Sequence, residues 1–175
     1  MSVFDVSQPV LNVGVDHHCF GCGNQNPIGL QLRFRELPEG GVWAEFSPSR
    51  DHEGYLGVTH GGILSSIIDE AMSWAITAEG GIAVTARMAV SFRRPARVGA
   101  PLRVTAEVTQ RRSRLYDVTA RLTEVETNEV IAEAEGRFMR VRSEQAAAWR
   151  EAYGAQVEGT AFGDAIGGVP KDQQS

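Results

Sequence analysis

The chain has 175 residues, enough for one domain with a sizeable core, and its 42% hydrophobic and 22% charged residues are typical of a globular protein. Its formal net charge of −5 argues against a nucleic-acid-binding protein, because such proteins neutralise phosphates with a basic surface. No apolar run is long enough to cross a bilayer, the start lacks the basic and apolar regions of a signal peptide, and only two cysteines occur. We therefore expect a cytoplasmic protein.

The first part of the chain predicts an N-terminal arm followed by two strands. Residues 1–20 carry scattered apolar side chains and a proline, so we expect them to pack as an arm. From Gly29 apolar and polar residues alternate, which predicts a strand with one buried face: Leu30, Leu32 and Phe34. A turn at Pro38–Gly41 then leads to a second alternating run with Val42, Ala44 and Phe46.

Residues His60–Ala78 form the only long segment with helical spacing. One apolar stripe runs along it, made of Ile63, Leu64, Ile67, Ile68, Ala71 and Ala75. Gly80 and Gly81 provide a natural end for the helix.

Four strand-like runs follow the helix, and breakers separate them. They are Ile82–Arg94, Leu102–Gln110, Leu115–Glu124 and Val130–Val141. A single helix with an apolar stripe among antiparallel strands must bury that stripe against the sheet. The pattern therefore predicts an α+β domain over residues 21–153, a sheet wrapped around one central helix, with a flexible tail at 154–175 that is rich in glycine and polar residues.

The start of the predicted helix, Thr59-His60-Gly61-Gly62, suits an anion. Free backbone N–H groups and the positive end of the helix dipole favour negative charge there, and two glycines let a ligand approach closely. In a dry site the same groups would stabilise an oxyanion formed from a carbonyl. A tight turn that only packs against a neighbour explains Gly-Gly equally well.

Asp69 is the acid that attracts attention on this helix. The helical wheel places it nearly opposite the apolar stripe, so we expect it to point away from the sheet, and no Lys or Arg shares its face. Helix geometry separates it from His60 by roughly 13 Å, too far for one reacting group to contact both. If both act on one carbonyl, two subunits with antiparallel helices must build the site, which predicts a symmetric dimer.

Three strings of the sequence resemble hotdog-fold acyl-CoA thioesterases of the phenylacetate-degradation (PaaI-like) group. The helix string HGGILSSIIDEAMSWA is similar to that family's signature, and CFGCGNQNPIGL and TARMAVSFRRPARVG agree with it. The resemblance covers roughly Cys19 to Val141. It implies a hotdog fold and thioester hydrolysis in a homodimer or homotetramer.

Roles for individual residues follow from the resemblance. It implies that the Gly61 N–H contacts the thioester carbonyl and that His60 positions this carbonyl or lines the entrance. Asp69 of the other subunit would be the nucleophile or the general base, two roles that the sequence does not separate. Thr85 would help to hold the attacking water, although an ordinary strand residue explains it equally well. We expect Gly62, Glu70 and Ser73 to line the substrate site, with Glu70 as the substitute acid if Asp69 proves inert.

Two basic clusters are candidates for holding the phosphates of coenzyme A. They are Arg93-Arg94 and the run that contains Arg112. Guanidinium groups bind phosphate bidentately, while the alternative for any one of these arginines is a solvated hairpin.

Cys19 and Cys22, preceded by two histidines, suggest a metal site, but structural zinc sites usually take four ligands from two separated pairs. Only one pair exists, so we predict a structural turn, no metal and no cofactor beyond the coenzyme A of the substrate.

The sequence as a whole predicts an acyl-CoA thioesterase. Two alternatives are a non-catalytic acyl-CoA-binding hotdog protein and a hotdog enoyl-CoA hydratase or dehydratase, although the hydratase motif is missing. The acyl group stays open among aromatic, short-chain and medium-chain acids.

Overall fold

The computed structural model describes residues 3–12 and 16–153. Its elements are β1 (Arg35–Glu36), β2 (Val42–Phe46), a 3₁₀ turn (Arg50–His52), α1 (Gly61–Ala78), β3 (Ala83–Phe92), β4 (Leu102–Arg111), β5 (Leu115–Glu124), β6 (Val130–Arg140) and α2 (Ser143–Tyr153). No helix in the described part of the chain is long and apolar enough to span a membrane.

The strands of the described residues form one antiparallel sheet of six, in the order β1-β2-β4-β5-β6-β3. Strands β4, β5 and β6 are long, pair with one another in chain order and lie next to one another within the sheet. Strand β3 follows the helix and pairs with β6, the last strand of the described residues, so it lies at one edge of the sheet. The predicted sheet wrapped around one helix is confirmed.

Helix α1 packs against one face of the sheet. It contacts strands β2, β3, β4, β5 and β6, because its apolar stripe faces the buried side chains of the strands. Eight of its residues are buried: Leu64, Ile67, Ile68, Ala71, Met72, Trp74, Ala75 and Ile76. The helix ends at Ala78, where Gly80 takes a positive φ of 80° that a residue with a Cβ adopts only at a cost.

The predicted strand from Gly29 is wrong in its extent. Leu30, Leu32 and Phe34 are buried on one side as the alternation predicts, but the strand covers only Arg35–Glu36. The reason lies in their backbone partners: the N–H groups of Leu30 and Leu32 bond to the carbonyls of Phe20 and Gly21 in the preceding loop. Burial therefore alternates along a segment whose hydrogen bonds go to a loop.

The arm packs against this same segment. Leu11 donates its N–H to the carbonyl of Phe34, and the buried side chain of Asn12 bonds to the backbone of both Leu32 and Phe34.

Helix α2 (Ser143–Tyr153) was not predicted, since its few apolar side chains give no helical stripe. The predicted tail at 154–175 lies outside the described residues.

Candidate active site

Helix α1 begins where the side chain of His60 closes over its end. His60 Nδ1 accepts the N–H of Gly62 at 2.9 Å, which makes His60 the N-cap. A Cβ on Gly62 would lie 2.9 Å from this nitrogen, so glycine leaves room for the ring. Since Nδ1 accepts, the hydrogen bond assigns the proton of the neutral ring to Nε2. The second glycine thus serves the cap, and its N–H is occupied.

The N–H of Gly61 differs from that of its neighbour. Within the described residues it has no hydrogen-bond partner, and Gly61 is exposed. The ring of Phe92, at the end of β3, lies beside it, 3.6 Å from where a Cβ on Gly61 would be. An exposed amide at the positive end of a helix, next to an aromatic ring, is suited to a carbonyl oxygen that gains negative charge.

Asp69 lies about two turns further along α1 and is held by Thr85. The hydroxyl of Thr85 donates to Asp69 Oδ1 at 2.6 Å, across the gap between the helix and β3. The pairing of β3 with β6 shifts register between Thr85 and Arg87, a bulge at the point where the strand passes the carboxylate. The expectation that Asp69 points away from the sheet was wrong, because the edge strand reaches around that side of the helix.

A cavity of about 340 Å³ opens beside Asp69. Its other lining residues are Cys19, Phe20, Gly21, Ser65, Ser66, Glu70 and Met88. The hydroxyls of Ser65 and Ser66 turn back to the carbonyls of Gly61 and Gly62 at 2.9 Å, so they contribute little polarity to the cavity. A larger groove of about 780 Å³ contains none of the residues from α1 and is lined by strands β3 to β6 and the arm.

Glu70 is next to Asp69 in sequence but belongs to a different environment. Its Oε2 lies 3.4 Å from Cys19 Sγ, and its Oε1 accepts the indole N–H of Trp74 at 3.1 Å. Burial, followed by the charge of Cys19, raises the pKa of Glu70 to about 7. Both side chains line the cavity, but Glu70 is held by Cys19 and Trp74, whereas Asp69 is held by Thr85.

The two cysteines have opposite properties. Hydrogen bonds, the largest from Cys22, lower the pKa of Cys19 to about 5 despite its partial burial. The same hydrogen bond and burial raise the pKa of Cys22. The sequence analysis missed this cluster because Glu70 lies 48 positions beyond Cys22. Trp74, four residues after Glu70, was a usable signal, since that spacing places both side chains on one face of the helix.

The predicted arginines lie at opposite ends of α1. Arg93 and Arg94 follow Phe92, beside the helix start, and pair with Glu133 at 3.2 Å and Glu129 at 3.6 Å. Arg112 pairs with Asp117 at 3.6 Å, in the hairpin whose neighbour Arg111 contacts Glu79 at the helix end. Because an 18-residue helix is about 27 Å long, one protomer cannot bring both clusters to one phosphate group.

Arg93 shares its partner with a second guanidinium. Hydrogen bonds from Arg121 and then Arg93 lower the pKa of Glu133, so this carboxylate stays ionised at neutral pH.

Ser73, one turn beyond Asp69, is partly buried, and its carbonyl accepts the hydroxyl of Thr77. Ser73 does not line the cavity beside Asp69.

Strand β3 presents a free edge next to this site. Among the described strands its only partner is β6, and it is ten residues long. Its residues Val84 and Phe92 are 50% and 51% exposed, respectively. Long, apolar, unpaired edges are rare in monomers because they pair with other chains.

Comparison with known proteins agrees with this geometry. Residues 56–131 match the family model "Thioesterase superfamily". Human acyl-coenzyme A thioesterase 13 is 27% identical over 96 residues, which cover 54% of this chain and 69% of that protein.

Similar solved structures share the fold. A thioesterase superfamily protein matches with a TM-score of 0.65 and 21% identity over 69% of this chain, which spans 62% of the length of that protein. The PaaI protein of E. coli, from the phenylacetic acid degradation operon, matches with a TM-score of 0.60 and 22% identity over 65% of this chain and 81% of that one. A hypothetical thioesterase from Streptococcus pneumoniae, solved with coenzyme A, matches with a TM-score of 0.59 and 15% identity over 63% of this chain and 85% of that one.

Residues 56–131, which include the helix start and Asp69, match the thioesterase superfamily model. The sheet wrapped around α1 is the hotdog fold that the chain shares with these solved structures.

Proposed function

We propose that this protein is an acyl-CoA thioesterase that uses Asp69 and the Gly61 N–H at a site shared by two subunits. The observation that carries the proposal is the bond at 2.6 Å from Thr85, on the edge strand β3, to Asp69, which lines a cavity. This bond fixes one carboxylate oxygen and leaves the other available for water or for the thioester carbon. The reaction adds water to the thioester and releases a carboxylic acid and the coenzyme A thiol.

The distance along α1 supports a shared site. Gly61 and Asp69 are separated by about 12 Å of helix axis, more than one carbonyl group can bridge. A second protomer that pairs along β3 would bring its own helix antiparallel to the first across a two-fold axis. The Gly61 N–H of one protomer would then face Asp69 of the other, and the carbonyl would lie between them.

Asp69 activates the reaction in one of two ways. As a general base it takes a proton from water, and the water oxygen attacks the thioester carbon and expels the coenzyme A thiolate. As a nucleophile it attacks that carbon itself, expels the thiolate and forms a mixed anhydride, which water then hydrolyses. In both cases negative charge develops on the carbonyl oxygen, where the Gly61 N–H and the helix dipole stabilise it. After a single turnover in ¹⁸O-labelled water, label in Asp69 identifies the nucleophilic route in which water attacks the Asp69 carbon of the anhydride.

The arginines beside the helix start are the favoured contacts for coenzyme A. The side chains of Arg93 and Arg94 are 57% and 58% exposed. Exposed ion pairs contribute little free energy, so these guanidinium groups can leave Glu133 and Glu129 and bind a phosphate at little cost. The coenzyme A seen in the Streptococcus pneumoniae relative supports a coenzyme A substrate here. Arg112 reaches the same ligand only from the other end of a helix, in a dimer or tetramer.

The first test is thiol release from a panel of aromatic, short-chain and medium-chain acyl-CoAs. Asp69→Asn and Asp69→Ala should each lower kcat by roughly a hundredfold to ten-thousandfold, the usual contribution of a positioned acid or base. The matched control is Glu107→Gln, which removes an exposed carboxylate on β4 and should leave turnover unchanged.

The same assay separates the alternatives. Turnover that survives both Asp69 changes would contradict the proposal and transfer the chemistry to Glu70 or another group. Bound acyl-CoA with no thiol release from any substrate would indicate a binding protein, and loss of an enoyl-CoA spectrum without thiol release would indicate a hydratase. The panel also identifies the acyl group, and a cytoplasmic location stays a prediction.

A further inference from the structure

A cluster of two thiols and one carboxyl group lies beside the cavity and is not used by the proposed reaction. The ligating atoms of Cys19, Cys22 and Glu70 all lie within 4.8 Å of one another. The cysteines come from the loop Cys19–Gly23, here called the cysteine turn, and Glu70 comes from α1. Among the described residues no fourth His, Cys, Asp or Glu joins this group.

The cysteine turn is held closed by its own backbone. Gly23 donates its N–H to the carbonyl of Cys19 at 2.9 Å. A Cβ on Gly23 would lie 2.5 Å from the Cys19 nitrogen, so the tight turn requires glycine there. The closed turn brings both sulfurs to one side, within reach of a single ion.

The third group is placed against the turn as a ligand would be. A Cβ on Gly21 would lie 2.3 Å from Glu70 Oε2, so only glycine lets the carboxylate reach the sulfurs. Trp74 supports both groups from behind: its indole N–H is 3.1 Å from Glu70 Oε1 and 3.4 Å from Cys22 Sγ. Trp74 is buried and stacks on Phe34, which fixes the indole, and such outer hydrogen bonds orient metal ligands.

We propose that Cys19, Cys22 and Glu70 bind a zinc ion, with a fourth position open to the cavity that also contains Asp69. Two thiolates and a carboxylate are ligands that zinc accepts, and three protein ligands with one open position form a known type of zinc site. A simple disulfide between the cysteines would not account for the carboxylate, which is partly buried beside the sulfurs although withdrawing an acid from water is costly. The prediction that the cysteines form only a structural turn did not consider Glu70.

The test is metal binding by the reduced full-length chain, without substrate. Cobalt(II), which replaces zinc and is coloured, should bind at one ion per chain and give thiolate-to-cobalt absorption, and zinc should displace it. Cys19→Ser and Cys22→Ser should abolish this absorption. Glu70→Gln should weaken binding by roughly a hundredfold or more, since outer-shell partners alone contribute 10- to 100-fold.

Two controls make the result decisive. Asp69 lines the same cavity but is not a proposed ligand, so the Asp69→Asn variant should bind cobalt as the wild type does. Zinc should also slow the reaction of both cysteines with a thiol reagent, and circular dichroism shows whether each variant is folded. Absence of thiolate-to-cobalt absorption, equal binding by the folded Glu70→Gln variant, or thiols that react equally fast with and without zinc would each overturn the proposal. None of these readouts depends on thioesterase activity.

Discussion

At the scale of the residue, the proposed site contains one short hydrogen bond. Thr85 holds Asp69 Oδ1 at 2.6 Å, and the partner atom lies on a different element, so this bond positions the carboxylate relative to both helix and strand. The sequence located Asp69 from the missing basic residues on its face and from a resemblance. It predicted the direction of the side chain wrongly, because a helical wheel contains no information about where an edge strand passes.

Thr85→Val should lower kcat by roughly tenfold to a hundredfold, since a hydrogen bond to a charged group contributes about 1.5–3 kcal/mol. The isosteric change keeps the β-branched shape that the strand favours. Thr85→Ser, which restores the hydroxyl, should recover most of the lost turnover, and KM should move little in both variants. A wild-type kcat for folded Thr85→Val would show that the hydroxyl has no part in catalysis.

Glu70 shows where residue-level reasoning fails. Sequence placed it next to Asp69 and treated it as a substitute acid, whereas its side chain lies against the cysteine turn, 48 positions away from Cys22. Contacts between residues so distant in sequence arise from the folded chain and leave no periodic pattern.

At the scale of the element, α1 and the later strands follow closely from the sequence. The helix was predicted at His60–Ala78 and is observed at Gly61–Ala78, because its stripe and its glycine stop are both local signals. Strand β5 was predicted at its observed bounds, Leu115–Glu124. Residues 30–34 differ, since their alternation reports burial and says nothing about which backbone supplies the hydrogen bonds.

Helix and sheet meet tightly at Gly136 on β6. A Cβ there would lie 2.6 Å from Met72 Sδ and 2.7 Å from a carbon of the Phe138 ring, both in fully buried side chains. Gly136→Ala should therefore lower the free energy of unfolding by about 1–3 kcal/mol, the usual cost of overpacking.

Denaturant unfolding measures this change. Glu135→Ala, which alters the exposed neighbour on the same strand, should remain within about 0.5 kcal/mol of the wild type. Equal stability of Gly136→Ala and the wild type would mean that α1 does not pack against β6 as closely as described.

At the scale of the whole molecule, the free edge of β3 lies beside Asp69 and Gly61, the proposed catalytic groups. We expect a second copy of the chain to pair there, so that activity requires the dimer. The sequence predicted a dimer from the length of helix between His60 and Asp69, but it could not say which strand forms the edge, because strand order depends on long-range pairing.

The double variant Val84→Lys with Ala89→Lys should produce monomers and lose turnover, since charges on an edge strand oppose pairing. The matched control places the same two charges on α2, as Gln145→Lys with Ala148→Lys, and should leave the assembly unchanged. Analytical ultracentrifugation at micromolar concentration measures the mass. A wild-type protein that is monomeric and fully active would contradict the shared site.

The most direct test of the central claim is complementation between two inactive variants. Asp69→Asn lacks the carboxylate, and Gly61→Pro lacks the backbone N–H. Proline is tolerated at the first helical position, and the extended backbone of His60, with φ −61° and ψ 134°, is compatible with a proline after it. Gly61→Ala keeps the N–H, fits beside Phe92 and serves as the control.

Each variant alone should release little thiol, with Gly61→Pro slower by roughly a hundredfold to a thousandfold, as for loss of an oxyanion donor. After the two are unfolded together in equal amounts and refolded, half of the dimers should be mixed, and each mixed dimer should contain one intact site. The mixture should therefore recover about a quarter of wild-type turnover. If the mixture stays as inactive as its components while mixed dimers are present, Asp69 and Gly61 do not act across the subunit interface.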